Sequence, residues 1–123
     1  MIGVGVPDSV EGKSFKNVLM GEADAFRDEM YLIFDEFVRG IKDSRYKLIE
    51  YRNGDEDGDK WTFLYDLQND PWETQNLAKD ENQRERIIEM RKKILTHRDS
   101  WQEQSHPWGK SFWTRFNLED NLK

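Results

Sequence analysis

The sequence predicts an α+β unit, a small antiparallel sheet of about four strands with one C-terminal helix packed on it. Two observations carry this. Between residues 30 and 67, runs dense in aromatic and β-branched side chains alternate their apolar positions with period two. Hairpin-length polar links separate these runs, and short links favour antiparallel pairing because a parallel crossover needs a dozen or more residues. From about residue 81 the apolar spacing changes to that of a helix.

The elements follow in order. Gly3, Gly5, Gly12 and Gly21, with Pro7 among them, punctuate an irregular start. Ser14 is placed to cap one short helical turn through Leu19, with Gly21 left-handed just beyond its end. From Met30 to Asp43 the pattern is strand-like, with Tyr31, Ile33 and Phe37 opposite Leu32, Phe34 and Val38. Gly40 marks an expected bend, bulge or strand end. Asp43-Ser44-Arg45 suits a turn, and Tyr46 to Arg52 suits the next strand. A polar loop, Asn53 to Asp59, connects it to an answering strand from Trp61 to Leu67. Asn69-Asp70-Pro71 ends that strand, since proline cannot donate to the ladder.

Asp80 and Gln83 form a capping-box pattern at the head of a helix over about 81–98. Ile87, Met90, Ile94 and Trp101 share one face, with Ile88 and Leu95 beside them. Acids come early (Glu81, Glu85) and bases late (Arg91, Lys92, Lys93, Arg98), opposing the macrodipole. An aromatic-rich tail follows, broken by His106-Pro107 and Gly109.

Composition bounds the function. The 123 residues suit one small domain. Apolar residues are 36% and charged residues 36%, against the usual ~45–50% and ~25%. Few apolar residues with many tryptophans and phenylalanines fit a domain that borrows core from a neighbour. A net charge of −6 argues against a nucleic-acid partner, which needs clustered Lys and Arg. No apolar run approaches the ~20 residues of a membrane span, so no membrane partner is expected. With no cysteine the chain has no thiol chemistry, and its compartment is not readable.

Three motifs carry a resemblance. Leu64 to Ala78, LYDLQNDPWETQNLA, closely resembles a segment near the C-terminus of sulfatases, the hydrolases of sulfate esters. Arg45 to Tyr51, RYKLIEY, resembles the strand that precedes it in that family. Val10 to Phe15, VEGKSF, is similar to the run that ends the family's catalytic domain. The resemblance implies a C-terminal subdomain docked on a large α/β catalytic domain that is missing here. It implies residues 1–27 as a remnant of the catalytic-domain end and linker, 28–100 as the subdomain, and 101–123 as the tail. The formylglycine nucleophile arises from Cys-x-Pro-x-Arg, and without cysteine that motif is absent. Formylglycine and calcium are therefore expected in the missing catalytic domain, with no catalytic residue in this chain.

The candidate sites each have a plainer reading. Asn53-x-Asp55-x-Asp57-Gly58 invites a calcium loop, but its twelfth position is Leu64, where a bidentate Glu is required. A solvated hairpin loop is the expectation. Asp66, Asp70 and Glu73 are close enough to mimic an acid–base pair, yet turn chemistry explains them all. His97 and His106 are too few for zinc, so no metal site is expected. Arg39, Lys42 and Lys47 could select sulfate, though a solvated sheet face is the default. In the tail, Trp108, Lys110, Trp113 and Arg115 could stack a sugar and hold an anion, such as a sulfated saccharide or other sulfate ester. Packing of Trp101, Trp108 and Trp113 against the sheet or the missing domain is the favoured alternative.

The expected function is the C-terminal portion of a sulfatase-like hydrolase, completing its fold and shaping the substrate entrance. The competing reading is a free-standing carbohydrate-binding or interaction module descended from such a subdomain. A related phosphoester or phosphonate hydrolase fits the same motifs.

Overall fold

A computed structural model describes residues 7, 9, 12, 14–24, 27–54 and 58–120. Helix α1 (Lys16–Leu19) is a single turn whose first amide bonds Ser14 Oγ at 3.3 Å. Gly21 follows at φ +69°, a conformation that costs glycine nothing. Strands β1 (Glu29–Phe34), β2 (Val38–Asp43), β3 (Tyr46–Arg52) and β4 (Lys60–Asp66) form one sheet in that order. Each neighbouring pair is antiparallel.

The β1–β2 turn lies at Asp35–Phe37, earlier than the break expected at Gly40. Asp35 takes φ 50°, a left-handed position that aspartate tolerates better than most residues. Gly40 instead sits inside β2, opposite Leu32 on one side and Ile49 on the other. A Cβ there would stand 2.8 Å from the Leu48 carbonyl oxygen, so the close approach of β3 requires glycine.

Register sorts the side chains into rows. On the inner face one row is apolar: Tyr31, Ile41, Leu48 and Leu64. The next is largely polar: Ile33, Arg39, Glu50 and Thr62, with Arg52 and Lys60 beyond it. The outer face carries Leu32, Gly40, Ile49 and Phe63 in one row and Phe34, Val38, Tyr51 and Trp61 in another.

Asp80 accepts the Asn82 amide at 2.9 Å and opens a single 3-10 turn, from which helix α2 (Arg84–Ser100) continues. Ile87, Met90 and Ile94 are buried and join Ile41, Leu48 and Leu64 in the core. Burying such side chains contributes about 1.5–3 kcal/mol each. Trp101, expected on the same stripe, is 63% exposed because α2 has already ended.

A second long element, helix α3 (Pro107–Thr114), was not anticipated in the tail. Gln102 turns the chain at φ 50° into a short 3-10 turn over Glu103–Ser105. His106 Nδ1 then accepts the Trp108 amide at 3.3 Å, and Pro107 fills the first helical turn where no amide is needed. His106-Pro107 thus starts a helix where it looked like an interruption. Gly109 lets α3 lie against this turn, since a Cβ there would fall 2.1 Å from the Glu103 carbonyl oxygen.

Candidate functional site

The segment after β4 is fastened to the sheet by its own side chains. Asn76 Oδ1 accepts the Leu64 amide at 3.0 Å, and its Nδ2 donates to the Thr62 carbonyl at 3.1 Å. The Leu77 amide donates to the Leu64 carbonyl at 2.8 Å. One asparagine thereby stands in for a fifth strand along the open edge of β4. Asp66 receives Arg45 at 2.8 Å and Asn69 Nδ2 at 2.9 Å. The Arg45 guanidinium, followed by the Asn69 bonds, lowers its carboxyl from the ordinary 3.8 to about 2. Asp70 accepts the Gln75 amide at 2.8 Å and the Thr74 hydroxyl at 3.0 Å, and the first of these bonds leads in lowering its pKa. Glu73 holds Lys47 Nζ at 2.7 Å. Asp66 and Asp70 are committed to the turn, while Glu73 ties it to Lys47 of β3.

The inner polar row is a buried charge network that sequence reasoning missed. Arg39 was expected on a solvated face, but it is 1% exposed because it shares its face with Ile41. Its Nε donates to Glu103 Oε1 at 2.5 Å, and its guanidinium lies 4.8 Å from the Phe112 ring centre. Lys47 is half-buried and Lys42 exposed, both on the outer face. Glu50, fully buried, accepts Arg91 Nε at 2.6 Å and the Thr62 hydroxyl at 2.9 Å. Arg91 also donates to Thr62 Oγ1 at 3.0 Å and to the Leu118 carbonyl at 2.6 Å. Arg52 Nη2 stands 2.8 Å from Glu50 Oε2, and its Nε stands 3.5 Å from Asp120 Oδ2; neither is aligned as a directed hydrogen bond. The Phe116 ring lies over both Arg52 and Arg91, at 5.6 and 5.9 Å.

The tail covers this network, which explains why so many charges are tolerated inside. Tyr31 donates its hydroxyl proton to Glu103 Oε2 at 2.5 Å. Burial, reinforced by that bond, raises the tyrosine's pKa strongly. The four tail candidates divide. Trp113 is half-buried against the core, with the Arg98 guanidinium 5.2 Å from its ring centre. Arg115 bonds the Gly54 carbonyl at 2.5 Å and Ser111 Oγ at 2.7 Å, tying α3 to the β3–β4 loop. Trp108 and Lys110 are exposed near the start of α3. Packing of the tail on the sheet is carried by Phe112, fully buried, and by Trp113, while Trp101, though 63% exposed, meets Tyr31 edge-on at 5.9 Å and Trp108 is exposed.

His97 Nε2 is 2.8 Å from Glu29 Oε1, and its ring stacks on Tyr31 with centroids 5.3 Å apart. Residues 55–57 of the acidic loop, expected to be a solvated hairpin connection, lie outside the described residues. Among the described residues no group of three or more His, Asp or Glu stands close enough to hold a metal. None of the described helices is long and apolar enough to cross a membrane.

The outer face of the sheet has no covering layer among the described residues. Phe34 is 70% exposed and Met30 47%, with Leu32 and Val38 half-buried beside them. At the opposite edge Trp61 is 52% exposed and stacks on Tyr51 at 5.2 Å.

The architecture is thus a four-stranded meander closed by helices on one face, with a side-chain-fastened turn after β4. The family model described as N-sulphoglucosamine sulphohydrolase, C-terminal, matches residues 1–100, and the chain belongs to that family. Two solved structures share the fold. One, in complex with its substrate D-glucosamine-2-N,6-O-disulfate, superposes with a TM-score of 0.63 at 22% identity, over 96% of this chain. The other, a candidate sulfatase from Bacteroides thetaiotaomicron VPI-5482, gives 0.50 at 23% identity, over 94% of this chain. The chain spans only 23% and 24% of those two proteins. Comparison with curated proteins gave no match.

Proposed function

We propose that this chain completes the fold of a sulfate-ester hydrolase by docking the β1–β2 half of the outer face of its sheet on a catalytic domain. The uncovered outer face carries the proposal: Met30, Leu32, Phe34 and Val38 present adjoining apolar surface, and soluble domains rarely leave large apolar patches bare. The fold relatives are about four times longer, which leaves room for such a domain. Formylglycine and a calcium ion acting as Lewis acid belong to that domain in this reading. This chain supplies no cysteine for the first, and its described residues offer no cluster for the second.

Its own residues position and shape. The buried network keeps the sheet flush with α2 and α3, so that the outer face is rigid before docking. Trp108 and Lys110 are the exposed two of the four tail candidates and serve at the substrate entrance, while Trp113 and Arg115 hold α3 where it presents them. In this reading residues 1–27 are the remnant of the catalytic-domain end and linker, 28–100 the sulfatase C-terminal subdomain and 101–123 the aromatic-rich tail. The ester class is a sulfated saccharide or related sulfate.

The test uses the polypeptide translated through the frame upstream of Met1, assayed on a chromogenic aryl sulfate. Wild type hydrolyses it, and Phe34→Asp loses hydrolysis while the 123-residue chain carrying the same change keeps its melting temperature. Full hydrolysis by the Phe34→Asp polypeptide would refute docking through this face.

A further inference from the structure

A groove of about 1120 Å³ runs between the edge of β4 and the approach to α2. That is the scale of small-molecule sites, ~300–1,000 Å³. β4 contributes Lys60, Trp61 and Phe63, and the segment before α2 contributes Asn76, Lys79 and Arg84. Asn76 fixes that segment against β4 through the bonds already described, so the two walls are held at a set separation.

The chemistry of the lining is specific. The Trp61 indole lies within 17° of parallel to Tyr51, which holds it in place while leaving it 52% exposed. A half-exposed, pre-oriented indole is a platform for the apolar face of a sugar ring. Lys79 and Arg84 make no ion pair among the described residues, in a chain whose net charge is −6. Two acids also line the groove, Asp80 and Glu81. Asp80 is already committed, its Oδ1 accepting Asn82 N and Nδ2 at 2.9 Å each. What remains is a stacking surface with three charges that form no ion pair among the described residues, the cations Lys79 and Arg84 and the acid Glu81. That leaves a net positive lining, in which a guanidinium matches a sulfate oxygen pair by bidentate hydrogen bonding.

We infer that this groove binds a sulfated saccharide, with a sugar ring on Trp61 and sulfate groups on Lys79 and Arg84. The inference rests on the sulfate-ester reading above and gives that reading an accessory subsite, apart from the tail, for a remote portion of a polymeric substrate. The groove lies at the β4 edge, across the sheet from Phe34, so docking through β1 and β2 leaves it open.

Isothermal titration of the full 123-residue chain with a heparin-derived hexasaccharide tests this, with its chemically desulfated counterpart as control. Desulfation, Trp61→Ala and Lys79→Gln/Arg84→Gln are each expected to weaken binding at least ~10-fold, the effect of losing one good anchor. Lys42→Gln/Lys92→Gln removes equal charge elsewhere and leaves affinity unchanged, and thermal melts of each variant show that the fold is retained. Absent binding, equal binding of the desulfated sugar, or unchanged affinity in the Trp61 and Lys79/Arg84 variants would overturn the inference. So would equal, equally sensitive binding of a single-stranded oligonucleotide, which would make the groove a general polyanion patch. Aryl-sulfate hydrolysis by the longer polypeptide is read separately: hydrolysis without hexasaccharide binding defeats the groove alone.

Discussion

Glu50→Gln is the most informative single substitution. Glu50 is fully buried and is the shared partner of Arg91, at 2.6 Å, and Arg52, at 2.8 Å. Glutamine keeps the shape and removes the charge, leaving two guanidinium groups that are themselves 0% exposed. The remaining acid near Arg52, Asp120, is 3.5 Å from its Nε and partly solvated. Breaking a buried pair while its partner stays buried costs about 3–5 kcal/mol. Domains of this size have only about 5–15 kcal/mol in total, so the variant should be close to unfolding. The assay is urea unfolding followed by tryptophan fluorescence, with Lys42→Gln as an exposed control. Adding Arg91→Met should recover part of the loss, because it removes one of the stranded charges. A loss below about 1 kcal/mol for Glu50→Gln would refute the reasoning, since it would mean that solvent reaches the network and the tail does not seal it.

Other outcomes follow from the same geometry. Gly109→Ala places a Cβ 2.1 Å from the Glu103 backbone oxygen. It should cost about 1–3 kcal/mol by overpacking and raise hydrogen exchange across α3 before the sheet. Asn76→Ala removes the partners of the Leu64 amide and the Thr62 carbonyl. A destabilisation of about 1–3 kcal/mol, with faster exchange at Leu64, is expected. Asp66 has a folded pKa near 2 against an ordinary 3.8, so its stabilisation is complete above the higher value and disappears as pH falls through the lower. Thermal melts from pH 5 to pH 2 should therefore fall less steeply for Asp66→Asn than for wild type.

The sheet and α2 were legible because both rest on periodicity. Ile87, Met90 and Ile94 recur at helical spacing and are buried together. Alternation in Tyr46–Arg52 set the two faces of β3, yet its meaning changed along the strand: Leu48 is core, while Glu50 and Arg52 on the same face are buried charges. Charge read one residue at a time suggests solvent. The available signal was positional, since Arg91 lies between Ile87 and Ile94 on the buried side of α2 and Arg39 shares a face with Ile41. The acid that completes Arg39 is 64 residues away, a distance over which local pattern carries no information. Helix α3 was hidden for another reason: His106-Pro107 reads equally as a break or as a helix start, and Gly109 lowers helix propensity. Of the tail candidates, only the structure separates exposed Trp108 and Lys110 from Trp113 and Arg115, which are held in packing and backbone contacts.

The central claim is that this chain is the C-terminal portion of a sulfatase-like hydrolase. Sequencing the DNA upstream of the Met1 codon and translating it in frame tests that claim most directly. The account predicts an uninterrupted frame encoding Cys-x-Pro-x-Arg or its serine counterpart. A stop codon immediately upstream, with a functional start signal at Met1, would contradict it.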